Sequence, residues 1–139
     1  MKISVKSDYA TRAVLTLARQ VGPKKAMRVE DLAAENGIPP KYLVQILIDL
    51  KSHGIVRSLR GKEGGYLLER PAAEITLGAV LRAVHGPVFD TSALTDSHCP
   101  SELRNAWSRL QQAVDATADA INFQHLAEES SGKQRMYYI

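Results

Sequence analysis

The stretch that decides the fold is "PPKYLVQILIDLKSHGIVRSLRGKEGGYLLERP", residues 39–71, in which an amphipathic helix runs into a two-stranded hairpin. The first half repeats Leu and Ile at helical spacing, begins with proline and ends at Gly54, which predicts a helix. The second half places two apolar runs, residues 55–59 and 66–69, on either side of "RGKEGG", which predicts a hairpin over 55–69. The hairpin tip is both glycine-rich and basic, and an ordinary turn requires neither property.

The residues before this stretch predict two more helices. Apolar positions recur at helical spacing in "SDYATRAVLTLARQVG", residues 7–22, and again in "VEDLAAENG", residues 29–37. The second and third helices are separated by about four residues, "NGIP", which is the spacing of a helix-turn-helix. Three helices followed by a hairpin define a winged helix-turn-helix, so residues 1–86 are predicted to form such a domain with its wing at 55–69.

The residues after the wing predict an appendage built around one long helix. A fourth helix in "ITLGAVLRAVHGP" ends the winged domain, residues 87–100 show no period and predict a loop, and residues 101–129 predict a long helix. Residues 130–139 form a tail. The long helix carries an apolar stripe at steps of three and four residues, which either packs on its own domain or meets a partner helix. We expect a homodimer through Leu103, Trp107, Leu110, Val114 and Ile121.

Composition excludes several classes of protein. Hydrophobic residues make up 45% and charged residues 24% of the 139 residues, which is ordinary globular composition rather than that of a disordered chain. No apolar run approaches the roughly 20 residues that cross a bilayer, so no membrane partner is expected. The N-terminus does not resemble a signal peptide, and the single cysteine cannot form an internal disulfide. We therefore expect a mainly α, cytoplasmic protein.

No pattern of residues predicts an enzyme. The four histidines are scattered, and the sequence contains no nucleophile–base pair, phosphate-binding loop or spacing typical of metal ligands. We therefore expect no catalytic residues, no metal site and no cofactor.

Charge is distributed unevenly between the two halves of the chain. Residues 1–70 carry 13 Lys or Arg against 7 Asp or Glu, a net charge of +6, and residues 71–139 carry 5 against 8, a net charge of −3. A basic surface confined to one half of a chain is typical of contact with a polyanion. The winged half is therefore the part expected to bind double-stranded DNA.

Particular side chains are suited to that contact. A recognition helix reads bases with the residues near its N-terminus, where this chain has Lys41, Tyr42 and Gln45. Gln pairs with adenine, Lys reaches guanine or phosphate, and an exposed Val44 would meet a thymine methyl group. In the wing, Arg57, Arg60 and Lys62 would face the duplex while Gly61, Gly64 and Gly65 allow close approach of the backbone. The competing interpretation is an ordinary solvated helix face and a loop that happens to be basic.

The sequence also resembles the Rrf2 family of bacterial transcription regulators. The resemblance rests on "MKISVKSDYATRA", "YLVQIL", the wing with the run to "EITLG", and the closing "MYYI". It implies a dimeric DNA-binding repressor or activator, of which we expect a repressor, with Lys41, Tyr42, Gln45, Arg60 and Gly61 at the DNA. Ser7, Tyr9 and Arg12 would be additional phosphate contacts. Several family members have an acidic residue where this chain has Val44, so this chain is not expected to recognise the same operator sequences as those members.

The loop before the long helix raises the question of a sensor. Many members of the resembled family hold an iron–sulfur cluster through three cysteines in this loop, and this chain has Cys99 alone. Such clusters require several thiolate or equivalent ligands, so we expect none here. Cys99 is then either a buried, inert thiol or a redox-responsive one at the start of a helix.

Two alternatives for function stay open at this point. The first is a winged-helix adaptor that no longer binds DNA and uses its basic face for an acidic protein. The second is a regulator that senses redox chemistry or a cluster through Cys99. If the regulator responds instead to a metabolite or a partner protein, residues 86–100 are the expected site.

Overall fold

The computed structural model describes residues 2–20 and 26–129, so the tail at 130–139 lies outside the described residues. The elements follow one another as α1 (Val5–Ala18), α2 (Val29–Asn36), α3 (Pro40–Ser52), β1 (Val56–Leu59), β2 (Gly65–Leu68), α4 (Leu77–His85) and α5 (Ser101–Ala120). Short 3-10 turns lie at Ala72–Glu74 and Ser92–Leu94, and residues 123–129 are again helical. The expected fold class, mainly α with a small β-wing, is confirmed. No helix in the described ranges is long and apolar enough to cross a membrane.

The helix-turn-helix forms because α2 ends at a glycine. Gly37 has φ +65° and ψ +35°, a left-handed conformation that glycine adopts without a steric penalty. The amide of Ile38 then donates to the carbonyl of Ala33 at 3.0 Å, and the Ile38 side chain is buried in the core. Pro40, at the first turn of α3, lacks only an amide hydrogen that would have no helical partner. The turn is therefore held by two backbone bonds to the Ala33 carbonyl, from the amides of Gly37 and Ile38, and by one buried side chain.

A single core joins α1, α2, α3, α4 and the wing. The buried face of α3 consists of Leu43, Ile46, Leu47 and Leu50, as its spacing predicts, and all four side chains are fully buried. Asn36 crosses from α2 to α1, where its Nδ2 donates to Thr16 Oγ1 at 3.0 Å. This bond links the side chains of α1 and α2, and the Thr16 hydroxyl also donates to the Arg12 carbonyl at 3.0 Å, so the buried hydroxyl is satisfied. The remaining core residues are apolar: Ala10, Ala13, Val14, Leu17, Leu32, Ile55, Val56, Ile75 and Val80.

The long helix is shorter than expected. The prediction of one helix over residues 101–129 is wrong, because α5 ends at Ala120 and Ile121 is extended. Its carbonyl accepts from the amide of Leu77 at 2.8 Å, and the amide of Phe123 donates to the carbonyl of Ile75 at 3.0 Å. These two bonds turn the chain so that Phe123 enters the core, where it is 1% exposed. Burial of a Phe side chain contributes roughly 1.5–3 kcal/mol, which favours the break over a continuous helix.

Ion pairs also attach α5 to α4. Arg82 donates to Asp119 at 2.7 Å and to Asp115 at 3.3 Å, and it crosses over Gly78, where a Cβ atom would collide with Asp119. The hydrogen bond to Arg82 lowers the pKa of Asp119, and the same bond raises the pKa of Arg82. The side chains are 39–48% exposed, so we expect a small contribution to stability from these pairs.

Candidate nucleic-acid interface

The exposed face of α3 presents the residues that the sequence assigned to base reading. Lys41 and Gln45 are exposed, and Tyr42, Val44 and Ile48 are 42%, 38% and 50% exposed. The opposite face of the helix is buried, so the polar face cannot rotate away from solvent without exposing the core. The helix therefore holds these side chains at a constant position on the surface.

Residues of α1 lie beside the N-terminal end of α3. The Tyr9 and Tyr42 rings meet edge to face with their centroids 5.7 Å apart, and the Arg12 guanidinium lies 5.7 Å from the Tyr9 ring. Arg12 also pairs with Asp8 at 2.7 Å. The structure thus brings Tyr9 against the recognition helix and Arg12 against Tyr9, and a phosphate contact from either residue stays a prediction.

Ser7, the third predicted contact on α1, is elsewhere. It is 2% exposed, and its hydroxyl oxygen accepts a hydrogen bond from Ser4 Oγ at 3.0 Å. The helix begins at Val5, two residues before the segment 7–22 that the sequence indicated, because Ser4 is the N-cap and accepts from the Ser7 amide at 3.1 Å. That shift places Ser7 on the inner side of the first turn, so the prediction of a phosphate contact from Ser7 is wrong.

The wing is an antiparallel hairpin with an exposed, basic tip. Arg57 pairs with Leu67 across the two strands and Leu59 pairs with Gly65, and the Gly64 amide donates to the Gly61 carbonyl at 3.0 Å to close the turn. Arg60, Gly61 and Lys62 are exposed at this tip. Arg57 is also exposed, with its guanidinium 3.7 Å from Glu69.

Two side-chain hydrogen bonds join the wing to the helix-turn-helix. The ammonium group of Lys51, near the end of α3, donates to Ser58 Oγ at 3.0 Å. The guanidinium of Arg28 donates to the carbonyl of Lys62 at 3.2 Å, which attaches the tip to the start of α2. The sequence did not indicate either contact, since neither the residue types nor their separations of 7 and 34 residues mark a pair.

The wing glycines have different roles from those the sequence suggested. Gly65 has φ +144° and lies against the backbone of Met27. The Met27 amide donates to the Tyr66 carbonyl at 2.8 Å, and the Tyr66 amide donates to the Met27 carbonyl at 2.7 Å. Gly64 is buried against the backbone of the turn. Both glycines therefore serve internal packing, and a close approach of DNA at these two positions stays a prediction. Gly61 alone of the three has open space around it, with φ +105°.

The loop before α5 is fixed by an arginine that the sequence analysis missed. Arg104 donates to the carbonyls of Asp96 at 3.1 Å and Cys99 at 2.8 Å. Cys99 is half-buried just before Pro100, the N-cap residue of α5, and its Sγ lies 3.6 Å from the Pro100 carbonyl. His98 is almost fully exposed beside Asp96. Within the described residues, no three His, Cys, Asp or Glu side chains are grouped as metal ligands.

The predicted apolar stripe of α5 is divided between two surroundings. Leu103 and Leu110 are 46% and 44% exposed, whereas Trp107 stacks on Phe89 of the preceding loop with ring centroids 6.2 Å apart. Val114 and Ile121 line a groove of about 410 Å³ between α5, α4 and the N-terminus. The groove is almost entirely apolar and is lined further by Ile3, Leu77, Leu81, Val88, Ala113, Thr117 and Ala118.

This order of elements, with an exposed helix after the turn and a basic wing after the helix, defines a winged helix-turn-helix DNA-binding protein. The chain belongs to the Rrf2 family, whose model is described as an iron-dependent transcriptional regulator and matches residues 3–129. It is accordingly a DNA-binding transcription regulator and not an enzyme.

Relatives and solved structures agree with this assignment. The Mycobacterium tuberculosis protein Rv1287 is 47% identical over 132 residues, which cover 91% of this chain and 81% of its own. CymR of Bacillus subtilis, an HTH-type transcriptional regulator, is 33% identical over the whole of both chains. The structure of CymR, the global cysteine regulator of that organism, aligns with a TM-score of 0.81 at 30% identity, covering 93% of this chain and 98% of that one.

Proposed function

We propose that this chain binds specific DNA sequences as a homodimer, with α3 in the major groove and the wing in the minor groove. The observation that carries the proposal is the set of free cations on these two elements. Lys41, Arg60 and Lys62 are exposed, and none of them has an ion-pair partner within residues 2–20 and 26–129. Cations without a carboxylate partner are available to neutralise phosphates.

Individual roles follow from side-chain chemistry. Gln45 can pair bidentately with adenine, and Lys41 can reach guanine or a phosphate. Arg60 suits the negative potential of a narrow minor groove, and Gly61 beside it presents no side chain that would hold the backbone away. Tyr9 and Arg12 would contact phosphates next to the recognition helix. For Arg12, this contact would replace its pairing with Asp8.

The proposed homodimer is supported by the apolar surface of the C-terminal part. Leu103 and Leu110 are exposed on α5, and the apolar groove along the same helix is open to solvent. A second copy that covered these surfaces would remove them from water, which is the main favourable term in association. A two-fold dimer would read two half-sites about one or two helical turns apart.

We further propose that the dimer acts as a repressor and holds no iron–sulfur cluster. A dimer that occupies a promoter blocks it without further contacts, whereas activation requires a surface for the polymerase. The family description names iron, but the donors here do not fit a cluster, because the chain has one cysteine and a homodimer would offer two. A metabolite or a partner protein acting at residues 86–100 is the proposed signal. Visible absorption bands in protein purified anaerobically would overturn the cluster-free assignment.

The experiment that tests DNA binding is a salt titration of duplex binding with the full chain. We expect log K to fall steeply and linearly with log salt, and Arg60→Gln to reduce the slope by about one because one fewer cation displaces counterions from the duplex. Arg109→Gln is the matched control, because this exposed arginine lies on α5, and its slope should equal that of the wild type. If no duplex binds even at low salt, the proposal fails and a protein-binding adaptor becomes the better interpretation.

A further inference from the structure

Two apolar side chains on the recognition helix are left in solvent. Val44 and Ile48 are 38% and 50% exposed, on the helix whose other apolar residues Leu43, Ile46, Leu47 and Leu50 are fully buried. Residues four apart in a helix lie on the same face, one turn above the other, with their Cα atoms separated by about 6 Å along the axis. They therefore form one apolar pair on the face that is proposed to enter the major groove.

The charges around Val44 and Ile48 indicate which kind of partner suits this surface. Lys41 precedes the pair and Lys51 follows it on α3. Asp49, the single acidic residue of α3, is paired with Lys6 of α1 at 2.6 Å. On α3 the pair therefore lies between two lysines, and the single carboxylate of this helix is already paired, which favours an anionic partner that also offers apolar groups.

Duplex DNA has both properties in its major groove. Phosphates form the walls of that groove, and the thymine 5-methyl is the apolar group displayed on its floor. The spacing of the pair along the helix, about 6 Å, is close to two base-pair steps of about 3.4 Å each. A carboxylate at position 44 would accept from the amino group of cytosine, and Val44 cannot do so.

We propose that Val44 and Ile48 determine operator specificity by contacting the 5-methyl groups of two thymines about two base-pair steps apart. This inference rests on the proposed function, since it requires α3 to lie in the major groove. Gln45, between them in sequence, would select an adenine, so the half-site is expected to be rich in A·T pairs where α3 lies.

The test begins with selection of bound duplexes from a random library by the full chain. Thymines in the selected half-site are then replaced one at a time by deoxyuridine, which removes the methyl group and keeps every hydrogen-bonding group. We expect wild-type affinity to fall about fourfold at each of two thymines, as for loss of one buried methyl. In Val44→Ala, replacement of one of these thymines by deoxyuridine should no longer lower the affinity, and in Ile48→Ala the same should hold for the other thymine. Both positions are exposed and alanine favours helix, so the variants are expected to fold.

Val5→Ala is the matched control, because Val5 is an exposed apolar residue on α1, 61% accessible. It should retain the wild-type response to deoxyuridine at both thymines. At each of these two thymine positions, a 5-methylcytosine–guanine pair should bind more tightly than a cytosine–guanine pair, because 5-methylcytosine restores the methyl group.

The failures of the two proposals are distinguishable. If no duplex is bound, the proposed function fails and this inference fails with it. If selected duplexes bind but deoxyuridine has no effect, the regulator stands and the methyl contact is overturned. The inference is equally overturned if both alanine variants keep the full response to deoxyuridine, or if they weaken binding to thymine and uracil duplexes by the same factor.

Discussion

Both α3 and α5 are amphipathic helices, yet they are held in the fold in different ways. α3 has 13 residues and buries four large apolar side chains, whereas α5 has 20 residues and buries only Ala118. α5 is attached through Arg82, through backbone bonds at Ile121, and through Phe123 beyond its end. Apolar residues recur at similar spacing in the two helices, but only the apolar stripe of α3 is buried within one chain. α5 therefore leaves apolar surface for the proposed partner.

The largest expected effect breaks the attachment of α5 to the domain. Phe123→Ala should lower the free energy of unfolding by about 3–5 kcal/mol, because it leaves a cavity in a fully packed core. Chemical denaturation followed by circular dichroism measures the loss. Leu103→Ala, on the exposed stripe, is the comparison and should cost far less at concentrations where the chain is monomeric. Equal losses for the two variants would mean that Phe123 is not part of the core in solution.

The second effect concerns the exposed stripe itself. Leu110→Glu should weaken the proposed dimer by about a hundredfold or more, since a charge would be buried without a partner. Sedimentation equilibrium at micromolar concentration would show a shift to monomer. Gln112→Glu places the same charge on the opposite side of α5 and should leave the dimer intact. A wild-type protein that is monomeric at this concentration would refute the dimer.

The third effect separates the wing glycines. Gly65→Ala should destabilise the protein by about 1–3 kcal/mol, because the added Cβ meets the backbone of Met27 at a strained φ. Gly61 also has a positive φ but has open space around it, so Gly61→Ala should lower the free energy of unfolding less than Gly65→Ala does. The main effect of Gly61→Ala should be on DNA affinity. Thermal unfolding and duplex binding, measured on both variants, distinguish the two roles. The assignment is wrong if Gly61→Ala proves the more destabilising of the pair.

The smallest effect tests the ion pairs between α4 and α5. Asp119→Asn should cost about 0.2–1 kcal/mol at neutral pH, as expected for exposed pairs. Because the pKa of Asp119 is lowered in the folded state, its contribution is present above the ordinary carboxylate pKa and is lost as pH falls through the lowered value. The stability difference between wild type and variant should hold from pH 5 to 8 and shrink below about pH 4. A difference that persists at pH 2 would contradict this cause.

Local patterns predicted much of the DNA-reading half. The spacing of Leu43, Ile46, Leu47 and Leu50 correctly identified the buried face of α3, and Gly37 correctly ended α2. The hairpin was found from two apolar runs around a glycine-rich tip. These features depend on neighbours a few residues apart, which is why spacing alone indicates them.

Contacts between distant residues were beyond such patterns. Ile121 continued the helical stripe of α5 in sequence, and only the backbone bonds at Ile75 and Leu77 show why the helix stops at Ala120. Met27 carried no strand signal, yet its pairing with Tyr66 explains Gly65. Ser7 was misplaced because either Ser4 or Ser7 satisfies the sequence preference for an N-cap.

The sequence by itself determined the order of elements, the basic character of the first half and the lack of a three-cysteine motif, because each depends on residue type and local spacing. Only the tertiary structure decided which glycines face the protein, where α5 ends and which apolar residues stay exposed on the recognition helix. Those outcomes depend on what packs against each residue from far along the chain. The spacing of apolar residues predicts which face of a helix is apolar, but it does not predict whether another element covers that face.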